Sequence, residues 1–260
     1  MSASYSIRAR WAADGLSAKQ IGTSLLDLIE QLSAVAPDTS PWVVPDFVNE
    51  QYVEVSRAAP RITQFVSSGL QMSDFGGPSL DGGYKTGATT LHPDERPSGK
   101  TVNIYLWAGS RADNSIEFKI GDLPYPSDFS LITYPIYRGA LEAIASALPC
   151  PWVAACAYHT APAPVDSPQR GMVRRESVFT QTWIAYLAAD LANGLTPPPE
   201  FISERTPGGG VILSALETVI DQSNPEHMRR SRLLEKIMLE RVGLGPGRLA
   251  RALPARVGPY

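Results

Sequence analysis

The chain has 260 residues, with 23 Lys and Arg against 26 Asp and Glu, which gives a formal net charge of −3. Apolar residues make up 43 % of a chain long enough to bury a sizeable core, so an intrinsically disordered protein is excluded. No apolar run reaches the roughly 18 residues that span a bilayer, so we expect a cytoplasmic protein with no membrane partner. The near-neutral charge argues against nucleic acid as a partner, because such binding typically needs a strongly basic surface.

The N-terminal segment predicts a strand followed by a helix. Residues 4–11 alternate between apolar and polar side chains, which is typical of a half-buried strand. Ser17 and Gln20 then form a capping-box pattern, and apolar residues at helical spacing predict a helix over residues 17–34.

A glycine- and proline-rich segment over residues 67–100 predicts a long loop. It holds seven glycines and three prolines in 34 positions. Loops of this length inside compact domains are uncommon, and they are usually functional or disordered. Before this segment, residues 51–55 alternate as a strand, and residues 60–69 predict a second helix with Pro60 in its first turn.

The second half of the chain mixes strands and helices. A β-hairpin is predicted from two alternating segments, 101–108 and 116–120, which implies that the sheet is at least partly antiparallel. The remaining predicted elements, in chain order, are a helix over 136–148, a central strand over 152–158, a loop over 160–175, a helix over 178–193, a short strand after 208–210 and a helix over 224–243.

These elements favour an α+β fold, with a mixed, largely antiparallel sheet packed with several helices. We expect a single domain over residues 1–243 and a basic, Gly/Pro-rich tail over residues 244–260. Charge is uneven along the chain: residues 225–260 carry a net +5, which leaves −8 for residues 1–224. An acidic body suits a basic protein partner such as a nuclease, since complementary charge accelerates association.

One catalytic pattern is present, Pro93-Asp94 followed by Glu117-Phe118-Lys119. It is similar to the PD…ExK pattern, in which the carboxylates hold Mg²⁺ and the lysine stabilises charge at a phosphate. It therefore offers an alternative function, a Mg²⁺-dependent nuclease. The interpretation that we favour places Glu117 and Lys119 on the solvated face of a strand, because Asp94 lies in a Pro/Gly loop and nothing near it is strongly basic.

Two other patterns are better explained by structure than by chemistry. Cys156 and His159 suggest a thiol nucleophile, but three residues apart on one strand they would point to opposite faces. The glycines at 208–210 lack the Lys-Ser/Thr that follows a phosphate-binding loop, so they predict a backbone turn. We predict no cofactor and no metal.

The order of several features resembles the immunity protein 52 family over about residues 5–243. The segments that carry the resemblance are Tyr5–Trp11, Gly76–Tyr84, Val102–Trp107, Trp183–Leu187, Gly208–Leu213 and the helix opening at Asn224–His227. The resemblance implies a protein without catalytic residues that binds and neutralises a cognate nuclease effector of restriction-endonuclease fold, delivered by type VI secretion. Inhibition could cover the active site of the toxin or block its loading onto the delivery apparatus.

Under this interpretation, the loop over residues 67–100 is the predicted partner-binding surface. Its predicted aromatic anchors and surrounding carboxylates are Phe75, Tyr84, Asp74, Asp81, Asp94 and Glu95. Aromatic anchors dominate the binding energy of many interfaces, and the carboxylates would face a basic DNA-binding cleft. The alternative, that the loop is only a variable surface segment, stays open.

Overall fold

The computed structural model describes residues 3–12, 15–36, 41–72, 77, 82–91, 99–110, 113–121, 127–159 and 181–242. They contain a single ten-stranded sheet in the order β3-β2-β4-β5-β6-β1-β7-β8-β10-β9. The strands are β1 (Ala3–Ala12), β2 (Trp42–Asp46), β3 (Gln51–Glu54), β4 (Tyr84–Thr90), β5 (Val102–Ala108), β6 (Asp113–Ile120), β7 (Trp152–His159), β8 (Thr182–Leu187), β9 (Ile202–Arg205) and β10 (Val211–Ser214). All neighbouring strands pair antiparallel, which confirms the α+β prediction.

Helices connect the strands and cover much of the sheet. They are α1 (Ala18–Val35), α2 (Val55–Ala58), a 3₁₀ turn (Ala59–Arg61), α3 (Ile62–Ser68), α4 (Tyr134–Ala147), α5 (Ala189–Ala192) and α6 (Pro225–Val242). The predicted capping box is confirmed: the Gln20 amide donates to Ser17 Oγ, and the Ser17 amide donates to Gln20 Oε1. None of the helices in the described ranges has both the length and the apolar character needed to cross a membrane.

One face of the sheet, the helix face, packs on α1, α3 and α4. The antiparallel register places Ile7 of β1 opposite Phe118 of β6. Period-two alternation directs both side chains to the helix face, where they are buried in the main core. Tyr137 of α4 fixes this layer, since its hydroxyl donates to the Tyr5 carbonyl over 3.2 Å. Its ring also meets the Phe118 ring edge-on, with 6.0 Å between the ring centroids.

The opposite face is covered over only half of its width. On β7, β8 and β10, side chains such as Trp152 and Leu213 form a second core with Leu234 and Met238 of α6. Over β4, β5, β6 and β1, no described helix lies on this face. As far as the described residues go, this half of the face is open; we call it the open half-face, and the β2–β3 hairpin bounds it on one side.

The prediction of one continuous loop over residues 67–100 is wrong, because β4 lies inside it and pairs with both β2 and β5. Its sequence, Tyr-Lys-Thr-Gly-Ala-Thr-Thr, lacks the large alternating apolar residues that mark a strand. Its backbone polar groups still find partners, on β5 from Tyr84 to Thr89, on β2 at Thr89 and Thr90, and at the Gly69 carbonyl, which accepts from the Lys85 amide. A Cβ on Gly87 would lie 2.0 Å from the Ile104 carbonyl oxygen, so the two strands approach closely at a glycine.

The prediction of a helix over residues 178–193 is also wrong, because residues 182–187 form β8 between β7 and β10. Trp183, Ile184 and Ala185 are all buried, since this central strand is covered on both faces. A strand buried on both sides loses the period-two pattern, so its sequence cannot be distinguished from a helix by periodicity.

The other predicted elements are confirmed. They are the first strand, the first helix, the strand at 51–54, the β5–β6 hairpin, α4, the central strand β7, the strand after the glycine turn and α6. The predicted helix over 60–69 begins as the 3₁₀ turn that contains Pro60 and continues as α3. The predicted loop over 160–175 and the tail over 244–260 lie outside the described residues.

Candidate functional site

The open half-face forms a groove of about 630 Å³, which we call the open groove. Its floor consists of the outward side chains of β1, β4, β5 and β6, and its rim includes the β2–β3 hairpin. Its lining includes Arg8, Arg10, Lys85, Tyr105, Trp107 and Glu117. A volume of this size lies within the roughly 300–1,000 Å³ that is typical of ligand-binding clefts.

Two aromatic side chains lie on the floor of the groove. Tyr105 and Trp107 are two residues apart on β5, so they share a face, and their side chains are 44 % and 36 % exposed. The other four tryptophans of the chain are at most 5 % exposed. The Trp107 Nε1 donates to the Gly82 carbonyl, which orients the indole. Exposed aromatic residues on a rigid scaffold are typical anchors of protein interfaces.

A lysine lies over each of these two rings. Lys85 Nζ is 5.1 Å from the centroid of the Trp107 ring, and Lys119 Nζ is 4.9 Å from the centroid of the Tyr105 ring. Both distances are within cation–π range. Lys85 is placed there by register, because it is the β4 residue opposite Trp107. Each ring therefore has an ammonium group against one of its faces.

An ion pair crosses the floor between β1 and β6. Arg8 and Glu117 are opposite in register, and Arg8 Nη2 and Nε lie 2.6 and 2.9 Å from Glu117 Oε1. Arg10 follows two residues further along the same face of β1. Among the described residues, the charged side chains that line the groove are Arg8, Arg10, Lys85 and Glu117.

The rim at the β2–β3 hairpin is held in shape by Asp46. Its Oδ1 accepts from the Val48 and Asn49 amides at 3.1 and 3.2 Å. The side-chain hydrogen bond from Asn49 is the main cause that lowers the pKa of Asp46, so the carboxylate stays ionised. At the tip, Phe47 and Val48 are 48 % and 76 % exposed. This fixed hairpin presents apolar side chains beside the groove.

Of the six residues predicted to bind a partner, the structure places one. Tyr84 is the first residue of β4, and its partly buried side chain packs against the main core. The other five, Asp74, Phe75, Asp81, Asp94 and Glu95, lie outside the described residues. The predicted loop surface is therefore neither placed nor tested, and it stays a prediction.

Sequence reasoning missed the aromatic floor of the groove, although one signal was available. In the alternating segment of β5, Ile104 and Leu106 occupy the core positions, so Tyr105 and Trp107 occupy the positions expected to be polar. Two aromatic residues at solvent-facing positions of one strand indicate a binding face.

The nuclease-like pattern is only partly described. Glu117 forms the ion pair with Arg8, and Lys119 lies over the Tyr105 ring, while Asp94 lies outside the described residues. Within the described residues, no group of three or more His, Cys, Asp and Glu side chains is close enough together to hold a metal ion. The surroundings of Glu117 are more basic than its local sequence indicates, because β1 and β4 bring in cations from distant segments.

The remaining motifs have structural explanations. Cys156 is buried, and its Sγ lies 3.7 Å from the Thr182 hydroxyl. The glycines at 208–210 form a turn in which the Thr206 amide donates to the Gly210 carbonyl over 3.0 Å. Arg229 and Arg230 at the start of α6 both bind the Glu226 carboxylate.

Comparisons with known proteins give one distant structural similarity and no family. No known protein family matches the sequence, and no curated protein does. The fold is similar to that of a solved Pseudomonas aeruginosa T6SS protein, with a TM-score of 0.49 and 11 % identity, over 90 % of this chain and 73 % of that chain. An identity of 11 % transfers no site residue from one chain to the other. Fold and site together describe an α+β protein with an open, aromatic sheet face.

Proposed function

We propose that this chain is an immunity protein, which binds a nuclease effector delivered by type VI secretion and neutralises it stoichiometrically. The proposal takes its direction from the segment order that resembles the immunity protein 52 family. The observation that supports it most in the structure is the open groove, where Tyr105 and Trp107 are exposed on a ten-stranded sheet. The chain acts by binding and not by catalysis.

The groove has the properties that a stoichiometric inhibitor needs. Its aromatic side chains are oriented before binding, by a hydrogen bond at Trp107 and by an ammonium group over each ring. Pre-oriented anchors reduce the entropic cost of association, so more of the contact energy contributes to affinity. The exposed hairpin tip extends the apolar surface toward the roughly 800 Å² per partner that a specific interface buries.

Co-expression with the polypeptide encoded by the adjacent gene tests this function. We expect a complex of fixed stoichiometry on size-exclusion chromatography, and survival of cells that express the toxic polypeptide only when this chain is also present. Absence of both the complex and the protection would contradict the proposal. Trp107→Ala should weaken both, whereas Phe129→Ala, which removes an exposed ring outside the groove lining, should weaken neither.

The same purified protein distinguishes binding from catalysis. Incubated alone with plasmid DNA and Mg²⁺, it should leave the DNA intact. Metal-dependent cleavage that is lost in Glu117→Gln would instead favour the nuclease alternative, because that substitution removes a carboxylate that a Mg²⁺ site would need.

A further inference from the structure

We infer that the β2–β3 hairpin, at the rim of the open groove, contacts the cationic surface with which the effector binds nucleic acid. Inhibition then works by covering that surface, and not by blocking the loading of the effector onto its delivery apparatus. The identity of the partner rests on the proposed function. The part of the partner that is bound is inferred from the shape, the apolar tip and the charge of the hairpin.

The hairpin extends past the strand that supports it. β2 pairs with β4 over its first two residues, whereas its pairing with β3 continues to Asp46 and Gln51. On the helix face, Val44 is buried in the main core and Val53 packs against that core, so the base of the hairpin is anchored. The outer part is a two-stranded projection on a fixed base, a shape that fits a concave partner surface.

The tip of the hairpin is apolar and exposed. Phe47, Val48 and Tyr52 are 48 %, 76 % and 56 % exposed. Phe47 and Tyr52 also line the open groove, so the tip and the aromatic floor belong to one continuous surface. Asp46 accepts the backbone amides of Val48 and Asn49, which orders the turn before binding. An ordered tip lowers the entropic cost of association.

Charge selects the occupant of this surface. Residues 42–56 include Asp46, Glu50 and Glu54 but no Lys, Arg or His. The hydrogen bonds of Asp46 come from uncharged amides, and Glu50 is exposed at the turn. At the base of the hairpin, Arg57 Nε lies 3.8 Å from Glu54 Oε2 and offsets that carboxylate in part. The hairpin therefore has a net negative charge, which is complementary to a surface that binds phosphates.

The surroundings of the hairpin leave this sign unchanged. Lys85 of β4 lies over the Trp107 ring, and Arg61 of the 3₁₀ turn lies over the Phe65 ring. The sequence that adjoins β2 and β4 outside the described ranges, residues 37–40, 73–76, 78–81 and 92–98, adds five carboxylates and one arginine. These residues are Asp38, Asp74, Asp81, Asp94, Glu95 and Arg96.

An acidic projection with an apolar tip suits the substrate-binding surface of a nuclease. That surface needs Lys and Arg side chains, because it must neutralise the phosphates of its substrate. Complementary charge on the hairpin accelerates association, and the apolar tip adds the anchors that slow dissociation. Since the substrate and the hairpin would use the same cations, binding of one excludes the other.

Competition with DNA tests the inference directly. The probes are the effector that forms the complex in the co-expression test and a fluorescein-labelled DNA duplex of twenty base pairs, in EDTA so that metal-dependent cleavage is stopped. The anisotropy of the duplex reports its binding to the effector. We expect an excess of wild-type chain to raise the apparent Kd of the effector for the duplex at least tenfold. An inhibitor that only blocked loading would leave this Kd unchanged.

Two charge-reversal variants form a matched pair. Glu50→Lys with Glu54→Lys should lose at least tenfold in affinity for the effector, measured by calorimetry, and the loss should shrink as salt is raised. Asp27→Lys with Glu30→Lys makes the same charge change at exposed positions of α1, and it should change the affinity less than twofold. If the hairpin reversal unfolds the protein, Glu50→Gln with Glu54→Gln replaces it, with at least a threefold loss expected. Thermal melts identify which variants are folded.

Three results would each overturn the inference: an effector that does not bind the duplex, a duplex that stays bound in excess chain, or equal affinities of the two folded charge variants. In each case, a wild-type chain that forms the complex and protects cells leaves the immunity function standing. If the wild-type chain gives neither complex nor protection, the immunity function is wrong, and the inference about its partner fails with it.

Discussion

Arg8 on β1 and Glu117 on β6 are directly opposite in the antiparallel register, and Arg8 Nη2 donates to Glu117 Oε1 over 2.6 Å. These residues lie far apart in sequence, and sheet pairing alone brings them together. The pair fixes two side chains on the floor of the open groove.

The Arg8–Glu117 pair should contribute modestly to stability. The two side chains are 41 % and 30 % exposed, so solvent screens their attraction. A double-mutant cycle with Arg8→Met and Glu117→Gln, measured by urea unfolding, should give a coupling free energy of about 0.5 kcal/mol that falls in 1 M NaCl. A coupling above about 2 kcal/mol that does not depend on salt would contradict this description.

Gly87→Ala should destabilise the fold by about 2 kcal/mol or more, as overpacking against rigid groups does. The new Cβ would meet backbone atoms of Ile104, which cannot move without breaking the β4–β5 ladder. Gly208→Ala is the matched control, because no atom lies within 4 Å of its added Cβ, and it should change stability by less than about 0.5 kcal/mol. Equal urea midpoints for the two variants would show that β4 does not pack as described.

Tyr137→Phe should cost about 1 kcal/mol of unfolding free energy, since it deletes a buried hydrogen bond to the Tyr5 carbonyl. Burial raises the pKa of the Tyr137 hydroxyl, so it remains a donor at all ordinary pH values. Tyr52→Phe removes an exposed hydroxyl and should be neutral. An unchanged melting temperature for Tyr137→Phe would mean that this hydroxyl has no structural role.

Lowering the pH should destabilise the N-terminal end of α6, because it protonates the Glu226 carboxylate. Hydrogen bonds from Arg229 and Arg230 lower the pKa of this carboxyl from 4.5 to about 2. Because the folded value is the lower one, the stabilisation is present above about pH 4.5 and is lost as the pH falls toward 2. The difference in melting temperature between wild type and Glu226→Gln should therefore shrink from pH 5 to pH 2. A difference that stays constant over this range would contradict the ion-pair description.

Local patterns in the sequence predicted those parts of the fold that local physics determines. The alternation of β1 and of the β5–β6 hairpin, the Ser17 capping box and the start of α6 at Asn224 all depend on residues a few positions apart. The sequence patterns did not predict β4 and β8, because each of these strands is stabilised by pairing with neighbouring strands. Those neighbours are distant in sequence, so no short stretch of sequence contains them. A Gly/Thr strand between two partners needs no apolar face of its own.

The candidate site was harder to predict for the same reason. Its cations come from β1, β4 and β6, and only the register places Lys85 over Trp107 or Arg8 beside Glu117. The two aromatic residues of the site could have been predicted from the sequence, because Tyr105 and Trp107 occupy positions of β5 where polar residues are expected.

The central claim is that this chain binds an effector protein through the open groove. The most direct measurement is the dissociation constant for the effector polypeptide that forms the complex in the co-expression test, compared among wild type, Trp107→Ala and Phe129→Ala. We expect at least a tenfold loss for Trp107→Ala, as for an aromatic anchor, and less than a twofold change for Phe129→Ala. Equal affinity for all three folded proteins would contradict the claim.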